Sequence, residues 1–205
     1  MSEPLLSAEA IEAATNRGIR PARYQHEVRM MGVHIGRNAG EPNVIFPRQG
    51  LVALRPLYVP MDRSIPHWPV HLARRIADLW DDWRALACFV ARDSDQGVAY
   101  AMQMIGRAPI LVDLASRPSD SRYADRRSEL HTLAGLAIIE GASLPDFPEL
   151  QRELAAARFS IEDGVLRVDD KETIAKRIGR WPVLWESYAL TYAQPLPAGN
   201  PGGGP

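Results

Sequence analysis

The sequence predicts an α/β domain in which a mixed central sheet is flanked by helices. Three observations carry that prediction. Short apolar runs punctuated by glycine and proline open the body of the chain at Val28–Ile35, Val44–Phe46 and Gly50–Leu57, and read as strands of a meander. Between His67 and Leu86 the apolar residues Val70, Leu72, Ile76, Leu79, Trp80 and Trp83 recur at helical spacing, while Arg74, Arg75, Asp78, Asp81 and Asp82 fall mostly on other faces. That is the pattern of an amphipathic helix. Leu86–Ala91 follows as an unbroken apolar run of the kind a strand buried on both faces requires.

In chain order, Ser7 suits the N-cap of a short helix ended near Gly18, so residues 1–27 are expected to form a helix and linker ahead of the core. Gly36–Pro42 is a turn-rich loop after the first strand. Gly97–Ile105 reads as a helix and Pro109–Leu114 as a strand; Ser121–Glu140 and Pro148–Ala157 are helical, and Phe159–Val168 is a hairpin turning through Glu162, Asp163 and Gly164. Lys171–Arg180 and Trp185–Tyr192 complete the helices. Residues 28–194 make one domain, and the Pro- and Gly-rich end, 195–205, has too little apolar surface to offset its ordering entropy and is expected to be disordered. The strand at Arg29–Ile35 is expected to be central, with Ala87–Ala91 beside it, and Ile76, Leu79, Trp83, Phe89, Val90, Leu111 and Leu133 to be buried.

A length of 205 residues suits one domain with a real core, and 46% hydrophobic with 24% charged residues is an ordinary globular balance. The net charge of −1 argues against a surface built throughout to coat nucleic acid, so any DNA contact must be local. The single cysteine, Cys88, lies in an apolar run and reads as a small core residue. With no signal-like segment and no apolar run of membrane-spanning length, a cytoplasmic location without membrane contact is expected.

Several motifs resemble the nuclease domain of the large terminase subunit of tailed bacteriophages, an RNase H-like fold. They are MGVHI at Met31–Ile35, RRIADLWDDW at Arg74–Trp83, RYADRRSE at Arg122–Glu129, LPD at Leu144–Asp146, Glu149, Glu153, Lys171 and KRIGR at Lys176–Arg180. Together they span about residues 5–195. The resemblance implies a role in DNA packaging, with double-stranded DNA, the terminase small subunit, the ATPase domain or the portal as partners. The family's ATPase carries a phosphate-cradling loop ending in Gly-Lys-Ser or Gly-Lys-Thr, and no such loop occurs here. The chain therefore corresponds to the nuclease module alone.

The resemblance also implies three acidic positions that hold two magnesium or manganese ions, and in this sequence those positions read His34, Ala91 and Glu186. Paired hard cations over a phosphate need bridging carboxylates. An imidazole suits magnesium poorly, and an alanine ligates nothing. Asp93, two residues beyond Ala91, would face the same side if the strand continued. Glu41, in the loop after the first strand, is the nearest match to a further family acid. Two readings stand: a degenerate site without useful cleavage, and a rewired metal-dependent endonuclease using His34, Glu41, Asp93 and Glu186. Beside them, His34 can be a hydrogen-bonded core residue, Asp93 and Asp95 turn formers, and Glu186 a salt-bridge partner.

His67 and His71 have a metal-like spacing but no third ligand motif. Trp80 and Trp83 fall on the apolar helix face, whereas Trp181 and Trp185 lie where the resemblance puts small or polar residues, so their rings can fill the altered site. Lys171, Lys176, Arg177 and Arg180 recur near helical spacing. They form either a solvated face or a weak DNA-backbone contact surface.

Overall fold

The computed structural model describes residues 2–37, 40–92 and 94–194. The chain opens with a two-residue strand, β1 (Glu3–Pro4), and helix α1 (Ala8–Thr15), whose free first-turn amide at Ala10 is taken by the Ser7 hydroxyl. The meander follows as β2 (Arg29–His34), β3 (Val44–Gln49), β4 (Val52–Ala53) and β5 (Leu57–Tyr58). Next come α2 (Trp68–Trp83), β6 (Ala87–Ala91), α3 (Gln96–Met104) and β7 (Ile110–Val112). The chain continues with α4 (Arg126–Glu140), α5 (Pro148–Ala156), the hairpin β8 (Arg158–Glu162) and β9 (Val165–Val168), α6 (Lys171–Ile178) and α7 (Val183–Leu190).

The main sheet runs in the order β4-β3-β2-β6-β7, with β5 pairing β3 at the edge. β2 pairs β3 antiparallel and β6 parallel, and β6 pairs β7 parallel, so the sheet is mixed and β2 central, as expected from the sequence. The two-residue period of the strands divides their side chains between two cores. Met30, Val44, Phe46, Phe89 and Ala91 pack with α4, α5 and α7 on one face; Met31, Val33, Ile45, Cys88 and Val90 pack with α2 and α3 on the other.

α7 is buried along its whole length because it lies directly on the sheet. Gly32 permits this: a Cβ there would come within 1.8 Å of the Ser187 carbonyl oxygen. At the far end of α7 the buried Arg48 guanidinium donates to the Thr191 carbonyl at 2.6 Å and stacks 4.1 Å from the Tyr192 ring. A cation there complements the negative end of the helix. α7 is thus held close to β2 at Ser187 and to β3 at its C-terminal end.

Three expectations are corrected. The N-terminal segment does not precede the core: Leu6, Ile11 and Ala14 are part of it, and β1 pairs β8 in a second small sheet. α4 starts at Arg126 instead of Ser121, because the Asp125 carboxylate caps the Ser128 amide at 2.7 Å. Leu133 is 38% exposed, since α4 turns Leu130, Ala134 and Ile138 inward and leaves Leu133, Leu136 and Ile139 outside. Ile76, Phe89 and Val90 are buried, while Leu79, Trp83 and Leu111 are partly so. The expected disorder at 195–205 lies outside the described residues.

Candidate functional site

The C-terminal end of β2 carries His34 onto the face covered by α7, the same side as Gly32. The register Val33↔Val90 puts Ala91 one step further, beside His34. After β2 the chain folds tightly back on itself: a Cβ on Gly36 would meet the Glu41 carbonyl oxygen at 2.1 Å, so only glycine lets this loop close and return Glu41 to His34. Glu186 projects from the first turn of α7 beneath them.

These groups form a buried ion-pair centre. His34 Nδ1 lies 2.9 Å from Glu186 Oε1, and Nε2 lies 2.9 Å from Glu41 Oε1. The Lys171 ammonium, at the first residue of α6, sits 2.5 Å from Glu41 Oε1 and 3.6 Å from Glu186 Oε1. Its distance to His34 Nε2 is 3.2 Å, and the Trp181 ring centroid is 5.6 Å away. From α4, Arg127 Nη2 donates to Glu186 Oε2 at 2.8 Å, and the Arg37 amide donates to Glu41 Oε2 at 3.0 Å. Every carboxylate oxygen of the pair is therefore engaged.

Burial alone would raise the pKa of Glu186, but the Arg127 and Lys171 charges and the His34 hydrogen bond hold it well below the usual range. Glu41 follows the same logic: burial opposes ionisation, and the His34 and Lys171 hydrogen bonds and the Arg37 amide outweigh it. For His34 burial disfavours the imidazolium, yet the hydrogen bonds to Glu186 and Glu41 raise its pKa overall. Only the imidazolium can donate at both nitrogens to two carboxylates.

The signs predict a stability profile. A raised His34 contributes stability that is full below its unfolded value near 6.5 and is lost as pH rises through the folded pKa; the depressed glutamates contribute stability above about 4.5 that is lost as pH falls. Glu153, which burial pushes up to about 8 despite the α7 amides and Arg180, contributes stability that is full below about 4.5 and is lost as pH rises from there to about 8. Thermal unfolding from acid to alkaline pH should therefore show a maximum at about pH 5, where the gain from the depressed glutamates ends and the Glu153 loss begins. The His34 part is the difference between the native chain and His34→Gln, and an unchanged alkaline slope in that variant would show that His34 is not protonated.

As they stand, these residues do not fit two divalent ions. Ala91 offers no donor, an ammonium and an imidazole lie between the carboxylates, and the carboxylate oxygens already have partners. Among the described residues no group of three or more His, Cys, Asp or Glu is placed to hold a metal.

The structure brings His34, Glu41 and Glu186 together, while Asp93 lies outside the described residues. Asp95 caps α3, accepting from the Gly97 amide at 2.9 Å. Lys171, read from the sequence as part of either a solvated face or a DNA-contact surface, is instead inside the centre. Arg177 pairs with Asp169 at 2.8 Å and also donates to the Ala156 carbonyl, and Arg180 pairs with Glu153 at 2.8 Å. Of that basic set only Lys176 makes no such pair among the described residues. Trp185 does not fill the centre; its ring is buried in the core 5.1 Å from His131 and 5.9 Å from Tyr188. His67 and His71 are exposed at the start of α2.

Lys171 and Arg127 were missed as members of the centre, although the sequence carries a signal. Each stands in the first turn of its helix, where the dipole disfavours a cation. Two buried carboxylates explain why they stand there.

No family model matches the chain, and no curated relative does. Solved structures do. The nuclease domain of the large terminase subunit gp2 of bacterial virus Sf6 aligns with a TM-score of 0.69 at 12% identity, covering 96% of this chain and 100% of that one. The large terminase nuclease of thermophilic phage G20c aligns at 0.61 and 14% identity, covering 93% and 98%. The HK97 bacteriophage large terminase aligns at 0.64 and 11% identity, covering 94% of this chain and 44% of that protein. The chain has the RNase H-like fold of phage terminase nuclease domains.

Proposed function

We propose that this chain is a terminase nuclease-like domain whose cutting centre has been replaced by an internal ion-pair network. In this reading it acts in phage DNA packaging or its regulation by contacting DNA or packaging proteins, such as the small subunit, the ATPase domain or the portal. The single observation that carries the loss of cutting is the Lys171 ammonium, seated on Glu41 and within 3.6 Å of Glu186. Bridging carboxylates are what a two-metal hydrolysis requires, and here a fixed cation already neutralises them. The packaging role is supported by likeness of fold and is an inference by analogy.

Plasmid nicking with magnesium or manganese tests the reading, and no nicking is expected. DNA binding at low salt should be weak, indifferent to sequence and steeply reduced by added salt, because it would rest on phosphate contacts by exposed cations such as Lys176. Metal-dependent cleavage that Glu186→Ala abolishes while that variant remains folded by circular dichroism would overturn the proposal and establish a rewired nuclease.

A further inference from the structure

The segment between α1 and β2 carries a basic residue at every third position, Arg17, Arg20, Arg23, His26 and Arg29, and Glu27 is its only acid. It ends at the start of β2, about 17 Å along the strand from His34 and the ion-pair centre. Pro21–Arg23 forms a turn of 3-10 helix, and three residues per turn put Arg20 and Arg23 on one side. The segment is anchored at both ends. Arg17 donates to the Ile138 and Ala142 carbonyls at 3.1 and 2.6 Å, and the Gln49 side chain donates to the Gln25 and Glu27 carbonyls at 3.0 and 3.1 Å.

This arm walls a groove made of two adjoining clefts. Arg17, Arg20 and Arg23 line one of about 920 Å³ with Glu27 and Glu140, while Arg29 and Arg84 line the other, of about 570 Å³, which shares Glu27 with the first. Five arginines thus face two glutamates, in a chain whose net charge is −1. Arg17 and Arg29 are committed to the carboxyl ends of α4 and α2, Arg29 through the Trp83 carbonyl at 3.0 Å. Arg20, Arg23 and Arg84 are exposed and form no ion pair among the described residues. The free guanidiniums outnumber the free carboxylates, so the groove calls for a ligand rich in anionic oxygen.

We propose that this groove holds the phosphodiester backbone of duplex DNA. The inference rests on the reading above that the domain contacts DNA, and it places the main contact at the far end of the sheet from the ion-pair centre. Arg20, Arg23 and Arg84 donate to phosphate oxygens, and Arg17 and Arg29 add charge from fixed positions. Two features choose duplex DNA over other polyanions. Single strands are gripped by aromatic rings stacked on successive bases, and the groove offers only the half-buried Tyr24. An acidic protein segment needs an apolar anchor, whereas the exposed Leu51 and Leu86 stand one in each cleft and form no single anchor.

A short dye-labelled duplex, titrated with the full chain at several salt concentrations, reads both the affinity and the number of phosphates engaged. Arg20→Glu with Arg23→Glu should weaken binding at least about tenfold and lower the slope of log affinity against log salt by about 1.8, the loss of two phosphate contacts. Arg74→Glu with Arg75→Glu, on α2, changes the net charge equally and should leave the slope unaltered. Glu27→Gln should tighten binding about threefold, a gain that damage to the fold cannot imitate. The four arginines are exposed, so melting temperatures should stay close to that of the native chain. A native chain that binds no DNA overturns this inference together with the DNA-contacting part of the reading it rests on. Binding that the α2 pair weakens as much as the groove pair overturns the inference alone. So does displacement of the duplex by an equal amount of a single strand, which would make the groove a single-strand site, or of poly-glutamate, which would make it a protein-docking site.

Discussion

Replacing Glu186 by Ala is expected to lower the unfolding free energy by about 3–5 kcal/mol, the cost of breaking a buried ion pair from one side. The carboxylate is buried between Arg127, His34 and Lys171, and its loss leaves His34 and Lys171 facing Glu41 alone. Arg127 then has no charged partner, because Glu186 is the only carboxylate with which it forms an ion pair among the described residues. Against a total stability of about 5–15 kcal/mol for a domain, this brings the chain close to its folding threshold. The exposed pair Arg122–Asp120, although 2.6 Å long, is the control: screening by water leaves Asp120→Ala with at most a small effect. Urea unfolding of both variants decides the matter. A loss below about 1 kcal/mol for Glu186→Ala would mean that the centre is solvated and that the closed network described above does not exist in solution.

Much of the sheet was legible in the sequence, and the reasons are particular. The α2 stripe and the Ala87–Ala91 run each admit one reading, and together they force a parallel crossover beside β2. α4 was harder because it is apolar on almost every side: periodicity could not choose between Leu130–Ala134–Ile138 and Leu133–Leu136–Ile139, and packing against α1, α7 and β9 made the choice. The position of α1 in the core was hidden for a similar reason, since its partners α4 and α5 lie more than a hundred residues away. Of the centre, His34, Glu41 and Glu186 could be named because each stands where the family resemblance puts an acid. Lys171 and Arg127 could not, because nothing local joins them to those acids. Their roles follow from a convergence of five elements that only the folded chain makes.

That convergence sets the last expectation, a gain of metal binding. Lys171→Ala alone removes one of the two cationic groups on Glu41 Oε1 but leaves the His34 imidazole bonded to that oxygen and alanine at position 91, so little binding should appear. In the combined variant Lys171→Ala, His34→Asp and Ala91→Asp, an ammonium and an imidazole are exchanged for two carboxylates that join Glu41 and Glu186. Four acids in one buried place repel strongly, and without a cation the variant should be much less stable than the native chain. Manganese should reverse this: a dissociation constant on the order of 10⁻⁴–10⁻³ M, as in open carboxylate sites, is reasonable, and at a hundredfold excess over it linkage adds about 2.7 kcal/mol. Melting temperature against manganese concentration reads the effect without any assay of cleavage. Trp185 can be kept, since its ring packs on His131 and Tyr188 in the core. A native chain whose melting temperature already rises with manganese as steeply as that of the variant would show that Lys171 and His34 do not block the metals, and the ion-pair account of the lost nuclease would fall.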